Sequence, residues 1–180
     1  MKADPVFIRA AEPADAEALS ALIGSEGVFE GTSQLPLMPV ASRVERYSKV
    51  DPAGLLIVAC VQLEGVEKII GMLGLHVVQP GLRRAHVRGL GIAINAPWQG
   101  QGVGQRLMSA GIHWADNWAA ILRIELTVLA DNARAIALYE RHGFVREGMM
   151  RAHIIRDGEL ADTWAMARLH PKPPRLPSAA

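Results

Sequence analysis

Apolar and polar positions along the chain follow two rhythms, one with strand period and one with helix period, and their succession predicts a mixed fold. Val6-Phe7-Ile8-Arg9 is a short first strand. Glu12-Pro13-Ala14-Asp15 opens a helix, with proline near its first position and acids in the first turn. Ala18, Leu19, Leu22 and Ile23 recur on the apolar face of this helix, and Gly24 stops it. Ser25 to Pro39 is irregular and carries Phe29, Glu30, Thr32 and Gln34. Val40–Lys49 is a second helix with Val44 and Tyr47 inward, and Asp51-Pro52-Ala53-Gly54 is a turn.

Leu55–Leu63 and Glu67–Val78 are apolar runs separated by Glu64-Gly65, which predicts a hairpin. Gly71 and Gly74 in the second run point to a bulge or a close backbone approach. After the turn Gln79-Pro80-Gly81, Arg84–Ile94 forms the next strand. A helix from Gly102 to about Trp118 shows Val103, Leu107, Ala110 and Trp114 at helical spacing, with Trp114 and Trp118 on one core-facing side. Arg123–Leu129 alternates as a strand, Asp131-Asn132 caps a short helix over Ala133–His142, and Gly143 ends it. Phe144–Arg151 and Glu159–Leu169 are closing strands, joined through the hairpin signal Arg156-Asp157-Gly158. One domain over 1–170 and a proline-rich tail over 171–180 account for the chain.

The stretch between the strand ending at Ile94 and the helix after it carries candidate chemistry. Asn95-Ala96-Pro97 ends the strand, and Gln99, Gly100, Gln101, Gly102, Val103, Gly104 and Gln105 follow. Glycines let a ligand approach the backbone, and the first N–H groups of a helix have no partner inside it. With the helix dipole they make an anion site suited to a pyrophosphate. A glycine-rich turn that binds nothing has the same letters. Neither a Walker A sequence nor the dinucleotide pattern G-x-G-x-x-G is present; the pattern is Q-x-x-G-x-G, on Gln99, Gly102 and Gly104.

Composition narrows the function further. At 180 residues, half of them apolar, the chain is long enough for a full core. Lys+Arg 19 against Asp+Glu 18 gives a net charge of +1, which argues against nucleic-acid binding through a basic surface. The single cysteine, Cys60, lies in an apolar run and reads as a core thiol. No signal-peptide pattern opens the chain, and no apolar run is long enough to span a bilayer, so a cytoplasmic protein without a membrane partner is expected.

A second motif lies about thirty residues past the first, the order of one βαβ unit. It reads A-D-N-A-R-A-I-A-L-Y-E-R-H-G-F from Ala130 to Phe144. The two motifs, in this order, resemble the GNAT superfamily of N-acetyltransferases, and the resemblance runs from Val6 to Leu169. It implies an α+β GNAT fold: a mixed, mostly antiparallel central sheet of about seven strands with about four helices. Its central parallel pair, here Arg84–Ile94 and Arg123–Leu129, splays apart at one end. The resemblance also implies acetyl-CoA as cosubstrate, no metal, a small-molecule amine as acceptor, and compatibility with a homodimer.

By the same resemblance, Ile92, Ala93 and Ile94 offer backbone groups to the pantetheine arm as an added strand would be held. Gln99 to Gln105 wrap the pyrophosphate, Asn132 reaches the pantetheine side, and Ala135 and Ile136 line the cofactor. The segments G-T-S-Q-L-P, D-N-W, R-I-E-L-T-V-L-A-D-N-A and R-D-G-E-L-A-D-T-W-A-M-A-R are similar to bacterial L-amino acid N-acetyltransferases. Related branches acetylate analogues such as phosphinothricin, polyamines, or ribosomal-protein N-termini. An N-terminal or polyamine acetyltransferase, or an inactive CoA-binding module, are the alternatives.

Direct transfer from thioester to amine needs no enzyme nucleophile. It needs a neutral amine, an oxyanion donor and a proton for the leaving thiolate. Tyr139 is the candidate donor by resemblance, with a core tyrosine as the plainer reading. Backbone N–H groups of Ile92–Ile94 are candidate oxyanion donors. The strand before the glycine turn carries no acid, which leaves Glu125 on the neighbouring strand as candidate base or as a partner for an arginine, and His86 as a weaker one. For the acceptor, Phe29, Glu30 and Gln34 of the irregular stretch and Arg88 are candidates; Glu30 suits an ammonium and an arginine suits a carboxylate.

Overall fold

The computed structural model describes residues 5–49 and 51–175; 1–4, 50 and the end of the proline-rich tail, 176–180, lie outside the described residues. Strands β1 (Phe7–Ala10), β2 (Leu55–Leu63), β3 (Val66–His76) and β4 (Val87–Ile94) pair antiparallel in chain order. β5 (Arg123–Leu129) lies parallel to β4. Antiparallel β7 (Glu159–Leu169) and then β6 (Val145–Arg156) complete a seven-stranded sheet. The helices are α1 (Ala16–Ile23), α2 (Val40–Ser48), α3 (Val103–Asn117) and α4 (Ala133–Arg141).

Period-2 alternation sends successive side chains of each strand to opposite faces, so the sheet has two cores. On one face Val103, Leu107, Met108 and Ala115 of α3 and Ile136 of α4 pack against Leu73, Leu75, Leu90, Ile124, Leu126 and Val128. On the other, Leu19, Leu22 and Ile23 of α1 cover Val58, Cys60, Met72 and Ala93. α2 buries no residue fully; Arg43, Val44 and Tyr47 are its half-buried positions, with Tyr47 against the second core.

The parallel pair is short. β4 and β5 are in register only at Val87↔Arg123, Arg88↔Ile124 and Gly89↔Glu125. Beyond that rung Gly91–Ile94 keep β3 as a neighbour and Leu126–Leu129 keep β7, while the two strands part as a V. A β-bulge lies near this open end. Ala59 pairs with Gly71 but Cys60 pairs with Ile69, which leaves Ile70 as the extra residue of β3. The Asn95 N–H donates to the Ile70 carbonyl, 2.9 Å away, so the bulge sits beside the open end of β4 and twists it.

Several boundaries differ from the sequence expectation. β4 starts at Val87 because Leu82–Arg84 closes a 3₁₀ turn, with Arg84 N–H on the Gly81 carbonyl at 3.1 Å. β6 continues to Arg156, since pairing with β7 resumes at Ile154 past an irregularity at Arg151–His153. Trp118 is not core: α3 ends at Asn117, the backbone leaves the helix at Trp118, and the indole is 77% exposed. The Asp157-Gly158 turn has positive φ at both residues, 52° and 79°, as a tight hairpin requires.

Candidate active site

The glycine turn is shaped by two residues in left-handed conformation, Gly100 at φ 76° and Gly102 at φ 82°. A Cβ at either would meet nothing within 4 Å, so both look onto open space. Gly102 is also the N-cap of α3. The first hydrogen bond there is Arg106 N–H to the Gly102 carbonyl at 3.2 Å. The main-chain N–H groups from Gly100 to Gln105 therefore have no partner among the described residues, and α3 adds the positive end of its dipole.

These amides sit at the open end of the V, on a cleft of about 350 Å³. Ile92, Ala93 and Ile94 form its β4 side, with Gln99, Gly100, Gly102, Gly104 and Gln105 at the turn. Asn132, Ala135 and Tyr139 line it from α4 and the loop before it. Those expected residues come together. Val103 and Ile136 do not line it: their side chains are 1% and 4% exposed in the core. Gln101 is exposed and donates to the Pro97 carbonyl at 2.7 Å, which braces the turn from outside.

Gln99 is a strut rather than a free ligand. Its Nε2 donates to the carbonyls of Ile94 at 2.9 Å and Gly27 at 3.1 Å, and its Oε1 accepts from Arg134. Asn132 caps α4, with Oδ1 accepting from Ala135 N–H at 3.1 Å. Tyr139 is 7% exposed, its ring 5.8 Å from that of Phe144, and its hydroxyl has no hydrogen-bond partner among the described residues. Burial pushes its pKa up to about 12, so the phenol stays protonated at neutral pH.

The candidate base and acceptor residues fare differently. Glu125 takes the structural alternative: Oε1 accepts from Arg84 at 2.7 Å and Oε2 from Arg123 at 2.9 Å, and it lies outside the cleft lining. Both of its oxygens are thus engaged by guanidinium groups. Arg88 is likewise spent on main-chain carbonyls, those of Ala53, Ala85 and Val87. Phe29 and Glu30 lie on the 3₁₀ turn Phe29–Gly31, and Gln34 donates its N–H to Thr32 Oγ1 at 3.2 Å. None of the three lines the cleft, although Gly27, Val28, Gly31 and Thr32 beside them do. Glu30 Oε2 is buried with no partner among the described residues.

The sequence reading missed Thr127, Arg134, Leu138 and Arg141, all on the cleft. Thr127 carried a signal: it is the polar residue between apolar neighbours at the end of the strand that splays. Arg134 and Arg141 lie on a helix whose apolar stripe was the stronger signal, and their charge adds to the anion-favouring field of the turn.

The model of the Acetyltransferase (GNAT) family matches residues 29–144. The chain is 36% identical over 91% of its length, and 98% of the relative's, to the L-amino acid N-acetyltransferase AaaT of Escherichia coli. An acetyltransferase of the GNAT family from Streptococcus pneumoniae superposes with a TM-score of 0.75 at 28% identity, covering 92% of this chain and 99% of that one. Spermidine N-acetyltransferase from Vibrio cholerae, crystallised with CoA and spermine, shares the fold at a TM-score of 0.78 and 23% identity, covering 92% and 95%. With the two motifs set around a splayed parallel pair, the chain belongs to the GNAT family of acetyltransferases.

Proposed function

We propose that the protein moves the acetyl group of acetyl-CoA directly onto the amine of a small molecule, an L-amino acid or a close analogue. The observation that carries this reading is the row of unpartnered amides from Gly100 to Gln105 at the mouth of a cleft that also holds Tyr139. The amides and the Arg134 and Arg141 guanidinium groups suit a diphosphate. The pantetheine arm then runs between β4 and β5 and brings the thioester to the edge of Ile92–Ile94.

The chain's own residues supply the chemistry. A main-chain N–H of Ile92–Ile94 stabilises the oxyanion of the tetrahedral intermediate. The Tyr139 phenol, held protonated by burial, gives a hydrogen bond and then a proton to the departing sulfur. The apolar surroundings that raise the phenol's pKa also raise that of a thiolate beside it above its usual value of about 8.5, which narrows the gap between donor and acceptor. Cys60 is fully buried and pushed up to about 11, so it suits the core and not a covalent step. The acceptor's ammonium enters beside the 27–32 loop, whose Gly27, Val28, Gly31 and Thr32 line the cleft.

Similarity over nearly the whole chain to an enzyme named for L-amino acids supports the acceptor class. A thiol-release assay with acetyl-CoA against L-amino acids, their analogues, polyamines and N-terminal peptides tests it. L-amino acids or analogues are expected to give the highest kcat/KM. Higher values for spermidine or for an alanyl peptide would replace the acceptor, and acetyl-CoA binding without turnover on any amine would replace the enzyme reading.

A further inference from the structure

The arginines that hold Glu125 leave the acceptor amine without an obvious base, but the sheet face opposite α3 and α4 offers one. Register partners on neighbouring strands share a face. His76 of β3 pairs with Gly89 of β4, and Gly89 pairs with Glu125 of β5, so the three form one row at the vertex of the V. Gly89 contributes no side chain to that row. The imidazole leans into the space: a Cβ on Gly89 would lie 2.7 Å from His76 Nε2 and 2.9 Å from Cε1.

The next row on the same face is Gly74 and Gly91. A Cβ on Gly91 would meet nothing within 4 Å, and Gly91 is exposed, so the strand here is a bare floor where β5 turns away. Ala93, one row further, faces α1 and lines the cleft. The floor at Gly91 thus lies between the His76 ring and the β4 segment where the thioester arrives.

We propose that His76 is the group that takes the proton from the acceptor amine, which lodges over Gly91 as it attacks the thioester. The inference rests on the acetyl-transfer reading above. The ammonium gives one proton to Nε2, the nitrogen lone pair forms the C–N bond, and the bonded nitrogen gives its second proton to water. The C–S bond then breaks as sulfur takes the Tyr139 proton, after which the imidazolium returns its proton to solvent and the phenolate takes one back, for a net release of one proton.

The surroundings favour a neutral, available ring. His76 has no hydrogen-bond partner among the described residues. His76 is exposed at the end of β3, and partial desolvation of its ring lowers its pKa from the usual value, Arg46 of α2 lowers it further, and Asp51 of the turn before β2 raises it. Across Gly89, the Glu125 carboxylate is already paired with Arg84 and Arg123. Arg88, next along β4, is turned to main-chain carbonyls. Arg84 pairs with Glu125, and Arg123 pairs with both Glu125 and Glu147, so the charges at this end of the floor are balanced.

The test is the pH profile of kcat for the wild type and His76→Gln, with acetyl-CoA affinity measured by calorimetry and folding by thermal melt. Wild-type kcat is expected to fall with acid through a pKa below about 6.5. His76→Gln is expected to lose that limb and about 100-fold in kcat, with unchanged acetyl-CoA affinity. Gly89→Ala, which pushes the ring aside and keeps the histidine, is expected to lose kcat in the same direction. Wild-type kcat in His76→Gln, or an intact acid limb, overturns the role of His76 and leaves acetyl transfer standing. If the glutamine chain does not fold, a wild-type profile in Gly89→Ala overturns it instead. Failure of the wild type to release thiol with any amine overturns both readings.

Discussion

Arg134 on α4 donates to the side-chain oxygen of Gln99, whose amide nitrogen is in turn fixed on Ile94 and Gly27. One side chain therefore joins the end of β4, the loop after α1 and the helix after β5, across the mouth of the cleft. Gln99→Ala removes the strut without adding bulk. KM for acetyl-CoA is expected to rise roughly tenfold, the effect of losing a hydrogen bond or two, with kcat within about twofold. Steady-state kinetics decide it; a large fall in kcat with KM unmoved would place Gln99 in the chemical step instead.

Gly104 is buried in the first turn of α3 and lines the cleft, with Ile94 Cδ1 3.0 Å and Leu138 Cδ2 3.1 Å from where a Cβ would stand. Gly104→Glu puts a carboxylate where an anion is expected to bind. Acetyl-CoA affinity should fall more than about 100-fold, as like charge in a partly buried site predicts. Calorimetry on the folded variant gives the answer, and unchanged affinity would remove the diphosphate from this turn.

Tyr139→Phe keeps the ring against Phe144 and deletes the hydroxyl. If the phenol protonates the leaving sulfur, kcat falls roughly 100-fold and KM moves little. Because its pKa is about 12, the wild type should show no alkaline limb from this group between pH 6 and 9. Equal turnover of the two proteins across that range would reject the role.

Arg168 and Asp116 form a bidentate pair at 2.8 and 2.7 Å between β7 and α3, with side chains 10% and 15% exposed. Removing one partner strands the other charge. Asp116→Ala is expected to cost about 3 kcal/mol of stability in urea unfolding. A loss under about 1 kcal/mol would mean that water reaches the guanidinium.

Asp15 receives two hydrogen bonds from Arg9, at 2.7 and 2.8 Å, and these hold its carboxyl below the usual range. A depressed folded-state pKa contributes stability above the unfolded value of about 3.9 and loses it as pH falls further. Asp15→Asn should therefore be less stable than wild type at pH 7, with the gap closing on acidification below about pH 4. A gap independent of pH would assign the effect to packing.

Local signals were legible in the letters. Leu55–Leu63 and Arg123–Leu129 begin and end where the sequence pattern placed them, because period-2 and apolar runs are local signals. The Gly102 start of α3 and the Asn132 cap of α4 were equally readable, since caps depend on one residue and its nearest amides. Long-range pairing was not. Nothing within Glu125's own strand says that Arg84 will reach it from 41 residues away, or that Arg88 will turn to Ala53. His76 escaped notice for the same reason: its meaning comes from a glycine on the next strand. Trp118 misled because spacing of four predicts one face only while the helix continues, and α3 stops a residue short.

Among the described residues, the three rungs between Val87–Gly89 and Arg123–Glu125, with the Leu122 and Arg123 N–H groups on the His86 carbonyl just before them, form the hydrogen-bonded seam between two half-sheets, β1–β4 and β7–β6 with β5. A thioester arm that bonds to the free edge past Gly89 fastens those leaves together as a zip slider does. Loading should then stiffen the molecule as well as arm it, and amide exchange at Ile92–Ile94 and Leu126–Val128 would slow together when acetyl-CoA is added.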